Sequence, residues 1–193
     1  MTRQALFAYG SLVSPASASR TLGRPVEPSA VVRLGGWRRR WSAMRDNLAC
    51  EKTFARRAGG ELLGHILGLN LEPAEDDDAA PNGVLLELSG EELLRLDVRE
   101  MRYDRVEVTE RIERPGGIDA VFAYRAKPAH FAPRPADDAV VISSYAAFVE
   151  AAFDALGAGQ LDVYRQTTGA PPVEVVDAML VRDRIPPGNP RQW

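Results

Sequence analysis

Gln4-Ala5-Leu6-Phe7-Ala8-Tyr9-Gly10-Ser11-Leu12-Val13-Ser14-Pro15 decides the architecture of this chain. Residues 4 to 9 are largely apolar, as in a short buried strand, and the run stops at Gly10. Ser14 has the hydroxyl of a helix N-cap, Pro15 suits the first helical position, and Gly23 suits the position just past the end. A strand, a tight loop and a helix therefore follow one another at once. Gly10 gives the loop backbone freedom, and N–H groups pointing across a helix start can hold an anion or an oxyanion. As spacing alone, Tyr-Gly-Ser also fits an ordinary turn.

Outward from this opening, residues 31 to 44 read as a strand with a bulge at Gly35-Gly36, and Arg38-Arg39-Arg40 between Trp37 and Trp41 as a solvated edge with the tryptophans in the core. Leu63, His65, Leu67, Leu69 and Leu71 alternate along a further strand whose other face, with Gly64 and Gly68, admits a close neighbour. Residues 72 to 83 form an acidic, proline-punctuated loop, expected in water because like charges repel. Val84 to Leu88 is a short strand, and Ser89 with Glu92 makes a capping box opening a helix to about 101. Tyr103 to Ile112 alternates as a half-buried strand, and Arg114-Pro115-Gly116-Gly117 turns it into a partner from Ile118 to Arg125. After a proline-rich stretch the chain becomes helical from about 139, with Tyr145, Phe148, Val149, Ala152, Phe153 and Leu156 as core, and helix-like patterns around 160–167 and 173–181.

The chain has 193 residues, 45% hydrophobic and 26% charged, which suits a single domain with one core. A formal net charge of -3 gives no support for a nucleic-acid or membrane partner, and no feature specifies an oligomeric state. The lone Cys50 excludes an intramolecular disulfide and any multi-cysteine metal site, and fits a reducing compartment. Arg3, a short apolar run and Ala16-Ser17-Ala18 imitate a signal peptide, but Tyr9-Gly10-Ser11 interrupts the run, so a cytoplasmic protein is expected. No apolar stretch approaches the roughly 20 residues that cross a bilayer.

The helix from 90 to 101 carries the chemistry. At 100° per residue, Leu93, Leu94, Leu96, Val98 and Met101 share a broad face, with Glu100 between Leu93 and Leu96, Asp97 also inward, and Arg95, Arg99 and Arg102 opposite. Desolvation raises the pKa of an inward carboxylate toward the range useful for acid/base work, which makes Glu100 a catalytic candidate. The periodicity equally allows Glu100 or Asp97 to cap backbone groups or pair with an arginine.

Phe7-Ala8-Tyr9-Gly10-Ser11-Leu12 after a strand, followed by Leu96-Asp97-Val98-Arg99-Glu100-Met101-Arg102-Tyr103 and a β-rich segment, resembles the γ-glutamylcyclotransferase-like superfamily. Gly36-Trp37-Arg38-Arg39-Arg40-Trp41 and the Arg99-Glu100 pair are most similar to its ChaC-type, glutathione-degrading branch. The resemblance spans residues 5 to 125. It implies an α+β fold, a small mixed β-barrel with flanking helices, and release of 5-oxoproline from a γ-glutamyl compound without a cofactor. By the same resemblance the loop Tyr9, Gly10, Ser11 and Leu12 binds the γ-glutamyl group and Glu100 is the acid/base. The ChaC branch typically has an Arg-Gly-Thr-Pro segment where this chain has Met44-Arg45-Asp46-Asn47-Leu48, so the reaction is implied more firmly than a preference for glutathione.

That reaction fits the residue types. The substrate's own α-amine is the nucleophile, so a single carboxylate suffices to move protons while the chain folds for ring closure. Tyr103 and Tyr124 are supporting hydroxyls for the substrate, or else core tyrosines. His65 and His130 have neither a nucleophile signature nor metal-ligand spacing around them, so neither a cysteine enzyme nor a metal site is expected. The rival reading is a non-catalytic small-molecule binding or regulatory protein of the same fold.

Overall fold

The computed structural model describes residues 3–75, 80–112, 116–157 and 159–191. In chain order the strands are β1 (Gln4–Ala8), β2 (Ala30–Arg33), β3 (Trp37–Asp46), β4 (Lys52–Arg56), β5 (His65–Pro73), β6 (Asn82–Leu88), β7 (Tyr103–Glu107), β8 (Ala120–Ala126), β9 (Ala139–Ile142), β10 (Val175–Val176) and β11 (Ala178–Asp183). The helices are α1 (Pro15–Leu22), α2 (Gly90–Arg99), α3 (Ser143–Asp154) and α4 (Gln160–Thr168). A single 3₁₀ turn, Ser11–Val13, joins β1 to α1.

β1 is the centre of a five-stranded sheet ordered β2-β6-β1-β8-β7, antiparallel to β6 and parallel to β8. Flanked by strands on both sides, its residues Ala5 to Ala8 are at most 2% exposed, which is why this stretch reads as continuously apolar. A four-stranded sheet, β10-β9-β5-β3, packs beside it, and Asn70 of β5 ties the two together by accepting the N–H of Ala126 in β8 at 2.7 Å. β4 and β11 form a separate ribbon. The structure is thus mixed α+β with helices against sheets, and no closed barrel is detected among the described residues.

The local signals hold where one turn decides them. Ser14 caps α1 by accepting from the Ser17 N–H, Gly23 ends it at φ 75°, and the Ser89/Glu92 capping box opens α2 with both reciprocal bonds present. Several other expectations are corrected. Residues 31 to 44 are two strands, because Gly36 at φ 71° turns the chain between β2 and β3; an irregularity in register lies farther on, between Trp41 and Ala43. The loop expected over 72–83 is shorter at both ends, since β5 runs to Pro73 and β6 begins at Asn82; its residues 76–79 lie outside the described residues, as do 114 and 115 of the expected turn. The strand from Tyr103 stops at Glu107 and gives way to a 3₁₀ turn. Segment 173–181 is not helical: β10 pairs with β9 and β11 with β4, so partners distant in sequence override its local pattern. β4 carried no signal strong enough to be anticipated, and the helical part expected from about 139 begins only at Ser143, because residues 139–142 pair with β5 and β10 as β9.

Gly83 in β6 marks the closest backbone approach in the main sheet, where a Cβ would collide with the Ala8 carbonyl oxygen and lie 2.7 Å from the Phe7 ring. Neither neighbour can swing away, as Ala8 and Phe7 belong to the buried central strand. Gly83→Ala is expected to lower stability by about 1–3 kcal/mol, read as a shift of the urea midpoint.

The arginine run is the largest departure. Arg38 is part-exposed beside Glu72 and Arg40 is exposed, but Arg39 is 1% exposed. Its guanidinium donates to the Asn82 carbonyl at 2.7 Å, the Asn82 side chain at 3.0 Å, Thr168 Oγ1 at 2.7 Å, Thr167 Oγ1 at 3.2 Å and the Tyr9 carbonyl at 3.2 Å. It also lies over the Phe153 and Tyr164 rings, 4.8 and 4.4 Å from their centroids. Burial lowers its pKa to about 9, which leaves it charged at neutral pH. This cation joins α4, β6 and the end of β1, and so fixes the point at which the chain enters the Ser11–Val13 turn.

Candidate active site

A cavity of about 450 Å³ lies where that turn, α1, α2, β3, β5 and α3 meet. Its inner wall carries Ser11, Arg99, Glu100, Gly68, Tyr103 and Tyr145. Glu100 is the residue immediately after α2, and its N–H closes the helix on the Leu96 carbonyl at 2.7 Å. A carboxylate at a helix C-terminus meets unfavourable carbonyl dipoles, so a nearby cation is needed to hold it charged.

Arg99 supplies that cation. Its Nε donates to Glu100 Oε1 at 3.0 Å, one Nη donates to Ser11 Oγ at 3.2 Å and Ser17 Oγ at 3.4 Å, and the other Nη donates to Thr21 Oγ1. One guanidinium therefore connects the Ser11 turn to Glu100. Burial pushes the Glu100 carboxyl above its usual range, while the charges of Arg99 and Arg102 and the Arg99 hydrogen bond oppose that shift without cancelling it. The Glu100 side chain retains 20% exposure and lines the cavity.

The inward face of α2 is rotated from the expected one. Leu93, Leu96 and Arg99 are buried, while Leu94, Val98 and Met101 are exposed. Arg99 was expected to point outward, and its burial has a structural reason: α2 packs on α1, whose Ser17 and Thr21 hydroxyls receive its protons. Asp97 takes the paired alternative, accepting from the Tyr124 hydroxyl at 2.7 Å and lying 3.3 Å from Arg105.

The four loop residues take different places. Only Ser11 lines the cavity. Tyr9 is buried and its hydroxyl donates to the Tyr124 carbonyl at 2.7 Å, while Leu12 belongs to the core. Gly10 has φ -133° and ψ -133°, outside the helical and extended regions, and a Cβ there would meet the Tyr145 hydroxyl at an ordinary 3.5 Å. Tyr103 lines the cavity and its hydroxyl donates to the Leu69 carbonyl at 2.9 Å, whereas Tyr124 does not reach the wall. Burial raises the pKa of Tyr9, Tyr103 and Tyr145 above the ordinary phenol value, so all three are neutral hydroxyls at physiological pH.

Sequence reasoning missed Arg99, Tyr145 and Phe148 as wall residues; the two aromatics were expected in the core, yet both border the cavity and Phe148 is 44% exposed. It also missed a group of charged residues on the cavity wall, Arg45, Glu51, Lys52, Arg102 and Arg191. Among the described residues no cluster of His, Cys, Asp and Glu is placed to hold a metal ion, and no helix is long and apolar enough to cross a membrane.

No family model matches the chain, and no curated protein matches it in sequence. Solved structures do match its fold. A γ-glutamyl cyclotransferase shares 14% identity at a TM-score of 0.56, over 90% of this chain and 93% of that one. The uncharacterized human protein loc79017 matches with the same identity and TM-score, over 91% and 94% of the two chains. YkqA from Bacillus subtilis shares 15% identity at a TM-score of 0.53, over 86% of this chain and 55% of that one. The likeness is one of fold.

Proposed function

We propose that this protein is a cofactor-independent cyclotransferase, a single γ-glutamylcyclotransferase-like domain that releases 5-oxoproline and a free amine from a γ-glutamyl peptide or amine. The observation that supports it best is the Glu100 carboxyl on the cavity wall, raised in pKa by burial and joined through Arg99 to the hydroxyl of Ser11. The fold shared with a γ-glutamyl cyclotransferase agrees with it.

In this reading ionised Glu100 takes a proton from the substrate α-ammonium. The freed nitrogen lone pair attacks the γ-carbonyl carbon, forming the ring C–N bond and placing negative charge on the carbonyl oxygen. As that tetrahedral species collapses, the bond to the leaving nitrogen breaks and the Glu100 carboxyl returns the proton to it; the regenerated carboxylate then relays the second proton of the ring nitrogen to the departing amine, which leaves as an ammonium. The raised pKa brings the carboxylate nearer to that of the ammonium it deprotonates, which narrows the proton-transfer gap. The Ser11 turn and the Tyr103 and Tyr145 hydroxyls line the space in which the γ-glutamyl group folds.

The test is chromatographic detection of 5-oxoproline after incubating the purified protein with a broad panel of γ-glutamyl peptides and amines. Release from none of them refutes the enzyme reading and leaves the binding protein. The pH dependence gives a second check. Glu100 must be ionised to act and burial raises its pKa, so kcat/KM is expected to fall as pH drops through a value above the ordinary carboxylate range. An acid limb at the ordinary value would separate the limb from Glu100.

A further inference from the structure

Among the described residues, one stretch of the cavity wall has more positive charge than its neighbours match. Arg45, Arg102 and Arg191 line it, and Glu51 is the carboxylate in ion-pair contact with two of them: Arg102 at 2.8 Å, and Arg191. Lys52 is matched by Asp183 at 3.6 Å. Arg45 donates to the Lys52 carbonyl at 3.0 Å and lies 5.4 Å from the Phe54 ring centroid, but among the described residues no carboxylate is within ion-pair distance of it. Among the described residues three guanidiniums thus face one carboxylate, a surplus of two positive charges, with the Cys50 sulfur accepting from Arg102 at 3.0 Å beside them.

These groups are not freely solvated. The Arg102 and Arg191 side chains are 20% and 16% exposed. Burial lowers the pKa of both Arg45 and Arg191, and the charge of Arg102 adds to the effect on Arg45. Part-buried guanidiniums without counter-charge cost free energy, and a bound anion removes that cost. Arg99 and Glu100 balance each other, matching the balanced α-ammonium and α-carboxylate of a γ-glutamyl group. A γ-glutamyl group that uses this pair leaves Arg45 and Arg191, which line the same cavity but are not among the cations acting on Glu100, to the other half of the substrate.

Resting on the cyclotransferase reading, we propose that the leaving amine is acidic, carrying two negative charges as an acidic amino acid or acidic peptide does, and that Arg45 and Arg191 grip it. Arg45 stands in the Met44-Arg45-Asp46-Asn47-Leu48 segment, and its fork geometry suits a carboxylate. Cationic leaving amines meet like charge here and are disfavoured.

Three substrates of graded leaving-group charge test this: γ-glutamyl-glutamate, γ-glutamyl-alanine and γ-glutamyl-lysine joined through the α-amine. The kcat/KM of the wild type is expected to fall about tenfold from each to the next, the scale of one charge-assisted contact. In Arg45→Gln the preference for γ-glutamyl-glutamate over γ-glutamyl-alanine should shrink by about tenfold, and added salt should shrink it in the wild type. Equal turnover of all three substrates overturns the charge assignment while the cyclotransferase reading stands. Release of 5-oxoproline from no γ-glutamyl compound overturns both. Should Arg45→Gln fail to fold, the wild-type series and its salt dependence still decide.

Discussion

Glu100→Gln is expected to reduce 5-oxoproline release by about 10²–10⁴-fold, the usual contribution of a positioned acid/base group. Glutamine keeps an oxygen where Arg99 Nε now donates at 3.0 Å, so the link to the Ser11 turn is preserved. What it loses is the ability to take and return a proton. The loss should appear in kcat with little change in KM, because no substrate contact is assigned to the carboxyl beyond proton transfer. Arg99 loses its counter-charge in this variant but keeps the hydroxyls of Ser11, Ser17 and Thr21, so circular dichroism should show a folded protein. A folded variant with wild-type kcat would remove Glu100 from the mechanism.

Arg39→Ala carries the largest expected effect on stability, about 3–5 kcal/mol. That is a large share of the roughly 5–15 kcal/mol that holds a domain folded. Three contributions add. The Asn82 and Tyr9 carbonyls lose their donors in a buried setting, the guanidinium leaves a void beside Phe153 and Tyr164, and α4 loses its polar tie to β3 through Thr167 and Thr168 while keeping the direct Asn82–Gln160 bond to β6. Urea denaturation followed by circular dichroism measures it. A change below about 1 kcal/mol would mean that water replaces the guanidinium and that the residue is not a structural centre. Arg39→Lys should recover only part of the loss, since an ammonium cannot reach five acceptors in a plane or stack on both rings.

What was legible beforehand has a common physical origin. β1, the Ser14 cap, the Gly23 stop and the Ser89/Glu92 box are decided within one turn or one strand, by sterics and hydrogen bonds among near neighbours. Glu100 could be placed on an inward face for the same reason, because 100° per residue carries the argument from Leu93 and Leu96. The α+β class was implied by the resemblance that the Phe7-to-Leu12 and Leu96-to-Tyr103 motifs carry. The face of α2 could not be fixed to better than a fraction of a turn by apolar residues alone, and Leu94, Val98 and Met101 misled it.

Other features had no local signature. Arg39 looks like its neighbours Arg38 and Arg40 in sequence, and it is buried because oxygen acceptors from β1, β6 and α4 converge on it. Arg99 is inward because α1 presents Ser17 and Thr21 there. Residues 175 to 183 are strands because β9 and β4 offer open edges. The sequence by itself determined the opening strand-turn-helix, the start of α2 and the inward carboxylate of Glu100. Only the tertiary structure decided which cations are buried and which charges gather on the cavity wall. A buried charge is stabilised by partners, and partners distant in the chain are defined only once it has folded.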